Sequence, residues 1–260
     1  MPLAIQLAAL DLALADVNRH AKALTALAAA LAKAGASGNL VALGRGFEQA
    51  PRLLEQVSAS IAAAQAGFSY DAAAEFASGA YIAELLAAAE QAGVVLVARD
   101  GRLSAFPLLL KLEPGTPAVR VGKKSERGIR PSALAALLKQ RQAAQTFRPG
   151  VVLEQIFSAY AALAPGVQTG WRANQKMPGP VVPLLDIHEL LTVLPEAGAA
   201  YPRDAFAVDL LRLNRAPDTR TKAGHGFSLS ASTATKGRNF LRVYDETGAE
   251  SVFAGISFSV

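Results

Sequence analysis

Residues 3 to 34 repeat an apolar side chain every three or four positions, and no other feature of the chain restricts its fold as strongly. Leu3, Leu7, Leu10, Leu14, Val17, Ala21, Leu24, Ala28 and Leu31 alternate steps of four and three. Side chains at that spacing line one stripe of an α-helix, and the alternation is held for about four heptads. Gly35, Ser37 and Gly38 end the helix, since glycine readily adopts the backbone that terminates one. After Pro51 the same alternation returns in Leu54, Val57, Ile61, Ala64 and Phe68. The two segments fit an antiparallel helical hairpin. The seam includes the small Ala21, Ala28 and Ala64 and lacks rich flanking charge pairs, so a bundle within the protomer is favoured over a free coiled coil. The alternative is a homo-oligomer or protein partner engaged through residues 1–34.

Residues 69–148 read as a second module. Tyr70 to Ala77 and Tyr81 to Gln91 are short helices, the first capped by Ser69 and the second stopped by Gly93. Val94 to Ala98 has the β-branched content of a strand, and Asp100-Gly101 is a strong two-residue hairpin signal. The chain returns through Arg102 to Lys111, with Pro107 at an edge or bulge, and Val119 and Val121 suggest a third strand. Pro131 opens a last helix through Leu134, Leu137 and Leu138. Residues 149–260 repeat the order loosely. Val151–Leu163, Leu184–Leu194 and Arg203–Arg215 are helical, and strands follow at Gly226–Ser232, Phe240–Tyr244 and Ser251–Phe258. We expect an α+β protein with a helical N-terminal region over 1–68 and modules at 69–148 and 149–260. Helix pair followed by antiparallel hairpin resembles, at fold level only, the order of a winged helix.

Charge is sorted along the chain. Arg99 to Arg148 holds 11 basic and 3 acidic residues, and Arg203 to Arg242 holds 8 and 3. The tail from Val243 holds 0 and 3. Two cationic surfaces are the expectation, and with them an anionic partner. The helix that a winged module would lay in the major groove, Tyr81–Gln91, carries Glu84 and Glu90 and no cation, so phosphates would repel it. Contacts in the first module are therefore assigned to Arg99, Arg102, Lys123, Lys124, Arg127 and Arg130, in the hairpin and the loop before Pro131. In the second they are assigned to Arg203, Arg212 and Arg215 on a helix, Arg220 and Lys222 after it, and Lys236 and Arg238 at a hairpin tip. Trp171, beside Arg172 and near Lys176, is a candidate for stacking on a base. The competing reading of each cation is a solvated surface charge.

Several chemistries lack their residues. With no Cys, disulfides, thiolate metal sites and cysteine nucleophiles are excluded. The three histidines, His20, His188 and His225, have no paired spacing, and no phosphate-binding glycine motif stands between a strand and a helix. Asp186, His188 and Glu189 lie close in sequence without sharing one helix face. No catalytic residue, metal or cofactor is expected. Asp11 and Asp16 interrupt the apolar N-terminus, so a cytoplasmic protein with no membrane contact is expected. The leading functional expectation is a non-enzymatic, DNA-associated subunit that grips the phosphate backbone regardless of sequence. The alternative is a docking subunit of a larger ATPase-driven complex for chromosome maintenance or phage defence.

Overall fold

The computed structural model describes residues 1–99, 101–144, 146–164, 179–193, 201–231 and 240–259. Asp100, Trp171, Arg172, Lys176, Lys236 and Arg238 lie outside them. The protein is mixed α+β. Its helices are α1 (Leu3–Ser37), α2 (Leu40–Ala66), α3 (Ala72–Ser78), α4 (Ala80–Gln91), α5 (Pro131–Ala143), α6 (Pro149–Leu163), α7 (Leu184–Leu191) and α8 (Arg203–Arg215). A meander of β1 (Val97–Arg99), β2 (Arg102–Ala105), β3 (Leu108–Glu113), β4 (Ala118–Val121) and β5 (Lys124–Glu126) forms a five-stranded sheet in that order. No single described helix is long and apolar enough to cross a membrane.

The chain divides into two compact units. One comprises Met1–Ala88, Leu112–Ala118 and Arg127–Leu134; the other comprises Ala89–Lys111, Val119–Glu126 and Ala135–Val260.

In the first unit α1 and α2 form the expected hairpin, but α2 begins at Leu40 and carries Pro51 inside it, where the second segment was expected only after Pro51. Gly38 closes α1 in the left-handed region, at φ 69°, and the Asn39 side chain caps α2 by accepting from the Ala42 N–H at 3.0 Å. The seam differs from its expected register. Positions 3, 10, 17, 24 and 31 face inward as expected and Leu7 and Ala21 are half-buried, but 6, 13, 20, 27 and 34 also face inward, and Leu14 and Ala28 are exposed. From α2 the inward set is Leu43, Gly46, Ala50, Leu53, Val57, Ser60 and Ala64. Among them Gly46 marks the point where the two helices approach closely. A Cβ at Gly46 would stand 2.5 Å from Leu31 Cδ2.

α3 begins at Ala72 with Asp71 as its cap, accepting from the Ala74 N–H at 3.1 Å, rather than with Ser69. On α4, Tyr81 and Leu85 are fully buried. The Tyr81 hydroxyl donates to the Ile129 carbonyl at 2.9 Å, and its ring packs 4.8 Å from that of Phe76.

The second unit holds the larger core. α6 contributes Leu153, Ile156 and Tyr160, α7 contributes Leu184 and Ile187, and α8 contributes Phe206, Leu210 and Leu213. They meet strands β6 (Val182–Pro183), β7 (Gly226–Ser230), β8 (Leu241–Tyr244), β9 (Glu250–Phe253) and β10 (Gly255–Ser259). The expected third strand, Ser251–Phe258, is broken at Ala254 into β9 and β10. β7 pairs with β10, from Gly226 opposite Ser259 to Ser230 opposite Gly255, while β8 pairs with β9. The expected pairing of the 226–232 and 240–244 segments does not occur. β7 and β8 instead pair with β10 and β9 in turn, on either side of a turn at 245–249. Gly255 suits the junction: a Cβ there would stand 2.5 Å from Val181 Cγ1.

The first sheet also differs in detail. Arg102–Lys111 is two strands, β2 and β3, with a turn at Phe106-Pro107. The presumed loop after Lys123 contains β5, paired to β4 with Lys124 opposite Val121. The sheet therefore has five strands where three were expected, because Gly122, at φ 60°, permits a tight reversal that strand propensity alone does not reveal.

Candidate nucleic-acid interface

The cations adjacent in sequence separate in space. Arg99 ends β1 and stands opposite Arg102, the first residue of β2. Lys123 lies in the β4–β5 turn. Successive strands of the meander run antiparallel, since the 114–117 connection is too short for a parallel crossover. The β1–β2 and β4–β5 turns therefore lie at opposite ends of the sheet. The intervening strands are about 13 Å long or more, beyond the ~8 Å over which exposed charges reinforce one another in physiological salt.

Many of the candidate cations are already engaged. Arg102 Nε is 3.1 Å from Asp204 Oδ1. Arg130 Nη2 is 2.9 Å from Asp11 Oδ1 on α1. Arg203, at the start of α8, reaches Glu189 at 3.4 Å. Arg212 lies over the Phe147 ring, 4.4 Å from its centroid, and burial lowers its pKa against the opposing pull of Asp209. Arg215 bridges Asp245 at 2.6 Å and Glu246 at 2.5 Å, and faces the Phe106 ring. A guanidinium held by a carboxylate must break that pair to take a phosphate, and little net attraction is then gained.

Six candidates remain exposed without a carboxylate among the described residues. Arg99 sits 5.7 Å from the Tyr244 ring centroid, and Arg220 donates to the Gly224 carbonyl at 3.0 Å. Lys123, Lys124 and Arg127 are exposed. The side chain of Lys222 is exposed too, while its backbone N–H donates to Glu154 Oε1.

The acidic character of α4 also has an internal use. The Glu84 carboxylate accepts from the backbone N–H of Leu3 at 2.9 Å and of Ala4 at 3.0 Å. Those are orphan donors at the positive end of α1, where a carboxylate is stabilising. Only Glu90 leaves α4 with an exposed negative charge.

Sequence reasoning missed how the acidic tail is used. Asp245, Glu246 and Glu250 hold Arg215 and Arg242, the last pair at 2.6 Å. The signal was present as three carboxylates directly following the second basic segment. It also missed a polar network behind α7. His188 is buried with Nε2 2.9 Å from the Tyr201 carbonyl oxygen, and the Tyr201 hydroxyl donates to Asp209 Oδ2 at 2.8 Å. Burial raises the Asp209 pKa, against the lowering effects of that hydrogen bond and of Arg212. His188 thus points inward, whereas Asp186 and Glu189 are exposed. Among the described residues no group of three or more His, Asp or Glu side chains is placed to hold a metal ion.

No family model, curated protein or solved structure matches this chain.

Proposed function

We propose that the protein is a non-enzymatic nucleic-acid-associated subunit that holds the phosphate backbone without reading bases. The observation that carries this reading is the β4–β5 turn. Lys123 and Lys124 project from a turn fixed by strand pairing, and neither they nor Arg127 has an ion-pair partner among the described residues. Arg99, Arg220 and Lys222 are secondary contacts. The five internally engaged arginines, Arg102, Arg130, Arg203, Arg212 and Arg215, serve stability instead. Contact with the backbone through a turn gives affinity without sequence preference.

Polarisation of a labelled duplex of arbitrary sequence tests the reading. Affinity is expected to fall with added salt, with a log–log slope of about −3 for each copy's three phosphate contacts. Lys123→Glu with Arg127→Glu is expected to abolish most binding for any duplex, and Arg203→Glu to change it little. No retention of duplex at low salt defeats the proposal.

A second reading, a docking subunit of a larger ATPase-driven complex, is favoured by the exposed apolar side chains along α2.

A further inference from the structure

The helix α2 leaves a second set of large apolar residues outside its seam with α1. Leu40, Phe47, Leu54, Ile61 and Phe68 follow one another at steps of seven, the last just beyond the helix end. Their exposure runs from 78% at Leu40 to 37% at Phe68. Steps of seven keep side chains on nearly one azimuth of a helix, so the first four form a ladder along the full length of α2, and Phe68 extends it by lining one groove with Ile61. At its C-terminal end the ladder opens into a groove of about 330 Å³ between the helices, where Leu14 of α1 faces Ile61 and Phe68. Ala21 and Ala28 continue the line of Leu14 along α1. No charged side chain interrupts the ladder, and Arg45, Glu48, Arg52 and Glu55 lie outside it. A partner bound here by charge would find nothing to pair with.

The ladder is its own complement. It is symmetric about Leu54, so a two-fold antiparallel pairing of α2 with α2 sets Leu54 against Leu54, Phe47 against Ile61 and Leu40 against Phe68. Every ladder residue meets an apolar residue of the other copy, as an isologous interface requires. Gly44, Pro51 and Ser58, one turn beyond successive ladder residues, carry no long side chain to hold the backbones apart. The size also fits. A helix of 27 residues is about 40 Å long, and two helices side by side are roughly 20 Å across. The hairpin thus offers on the order of 800 Å², which is what each partner contributes to a stable interface.

We propose that a second copy of this chain covers the α2 ladder, forming a two-fold antiparallel dimer that is a four-helix bundle at its centre. This interface is independent of the phosphate-binding reading and needs none of its cations.

Light scattering on the full chain at micromolar concentration is expected to give twice the chain mass of 27.0 kDa. Leu54→Glu with Ile61→Glu is expected to give the single-chain mass with unchanged helical circular dichroism. A wild-type monomer overturns the proposal, as does a dimer that a folded double variant leaves intact. Because the chain lacks cysteine, cross-linking gives a second test that does not depend on the double variant folding. Leu54→Cys alone is expected to form a covalent dimer under mild oxidation. Leu40→Cys is expected to do so only when mixed with Phe68→Cys. Self-cross-linking of Leu40→Cys, or none by Leu54→Cys, overturns the antiparallel pairing.

Discussion

Asp245 shows what a single side chain does in this fold. One carboxylate oxygen accepts from the Thr247 N–H at 2.8 Å, the Thr247 hydroxyl at 2.7 Å and the Ala249 N–H at 2.9 Å. The other accepts from Arg215 at 2.6 Å. Chiefly through the Thr247 hydroxyl, these donors hold its pKa down to about 2. They also order the turn that Gly248 completes at φ 79°. Because the folded value is depressed, its stabilisation is complete above the unfolded value near pH 4. It is lost as pH falls toward about 2. Asp245→Ala is expected to lower stability at neutral pH by about 2 kcal/mol, since it leaves Arg215 and two backbone donors without this acceptor. Its stability should also change less than that of the wild type between about pH 4 and pH 2. Denaturant titrations across that range check both outcomes. An Asp followed by Thr and Gly is legible as a turn; that Arg215, thirty residues earlier, completes it is not.

At the scale of elements, helix termini and seams carry most of the stability that can be assigned. Glu84 joins α4 to the first turn of α1, and Gln6, buried beside it, donates to the Met1 carbonyl and accepts from the Ser69 N–H. Glu84→Ala is expected to cost about 1 kcal/mol of stability, the usual worth of a helix cap. Thermal or denaturant unfolding measures it, and Glu84→Gln should recover part through its remaining acceptor. The existence of α1, α2, α6 and α8 was legible because apolar period and terminal glycines or prolines are local signals. The seam register was not. The apolar spacing chose Leu14 and Ala28, whereas the packed hairpin placed Ala13, Leu27, Ala34 and Gly46 inward. That register appears only when two helices are placed together. Strand pairing in the second unit was obscured likewise: the break at Ala254 and the partnering of β7 with β10 are contacts between distant residues.

For the molecule as a whole, charge and apolar surface separate by role. The second basic segment is largely balanced by the acidic tail folded against it, so net charge by segment overstates the cationic surface there. The first segment keeps its free lysines at one end of a sheet whose other end carries Arg99. If α2 joins two copies, each assembly presents two β4–β5 turns. The salt slope of duplex binding is then expected to be about twice that of the Leu54→Glu, Ile61→Glu monomer, because twice as many counterions are released. Equal slopes would mean that each copy binds alone.

The sequence by itself determined the helical N-terminus, the α+β class and the identity of every candidate cation. Periodicity, turn residues and side-chain charge are properties of neighbours along the chain. Tertiary structure alone decided which helix face was buried, which strands paired and which cations remained free. Those outcomes depend on which distant residue arrives opposite: Gly46 against Leu31, β7 against β10, Arg215 against Asp245. Local pattern limits such encounters but does not choose among them, and it was by turning the face with Gly46, Val57 and Ala64 to α1 that the fold left the α2 ladder facing outward.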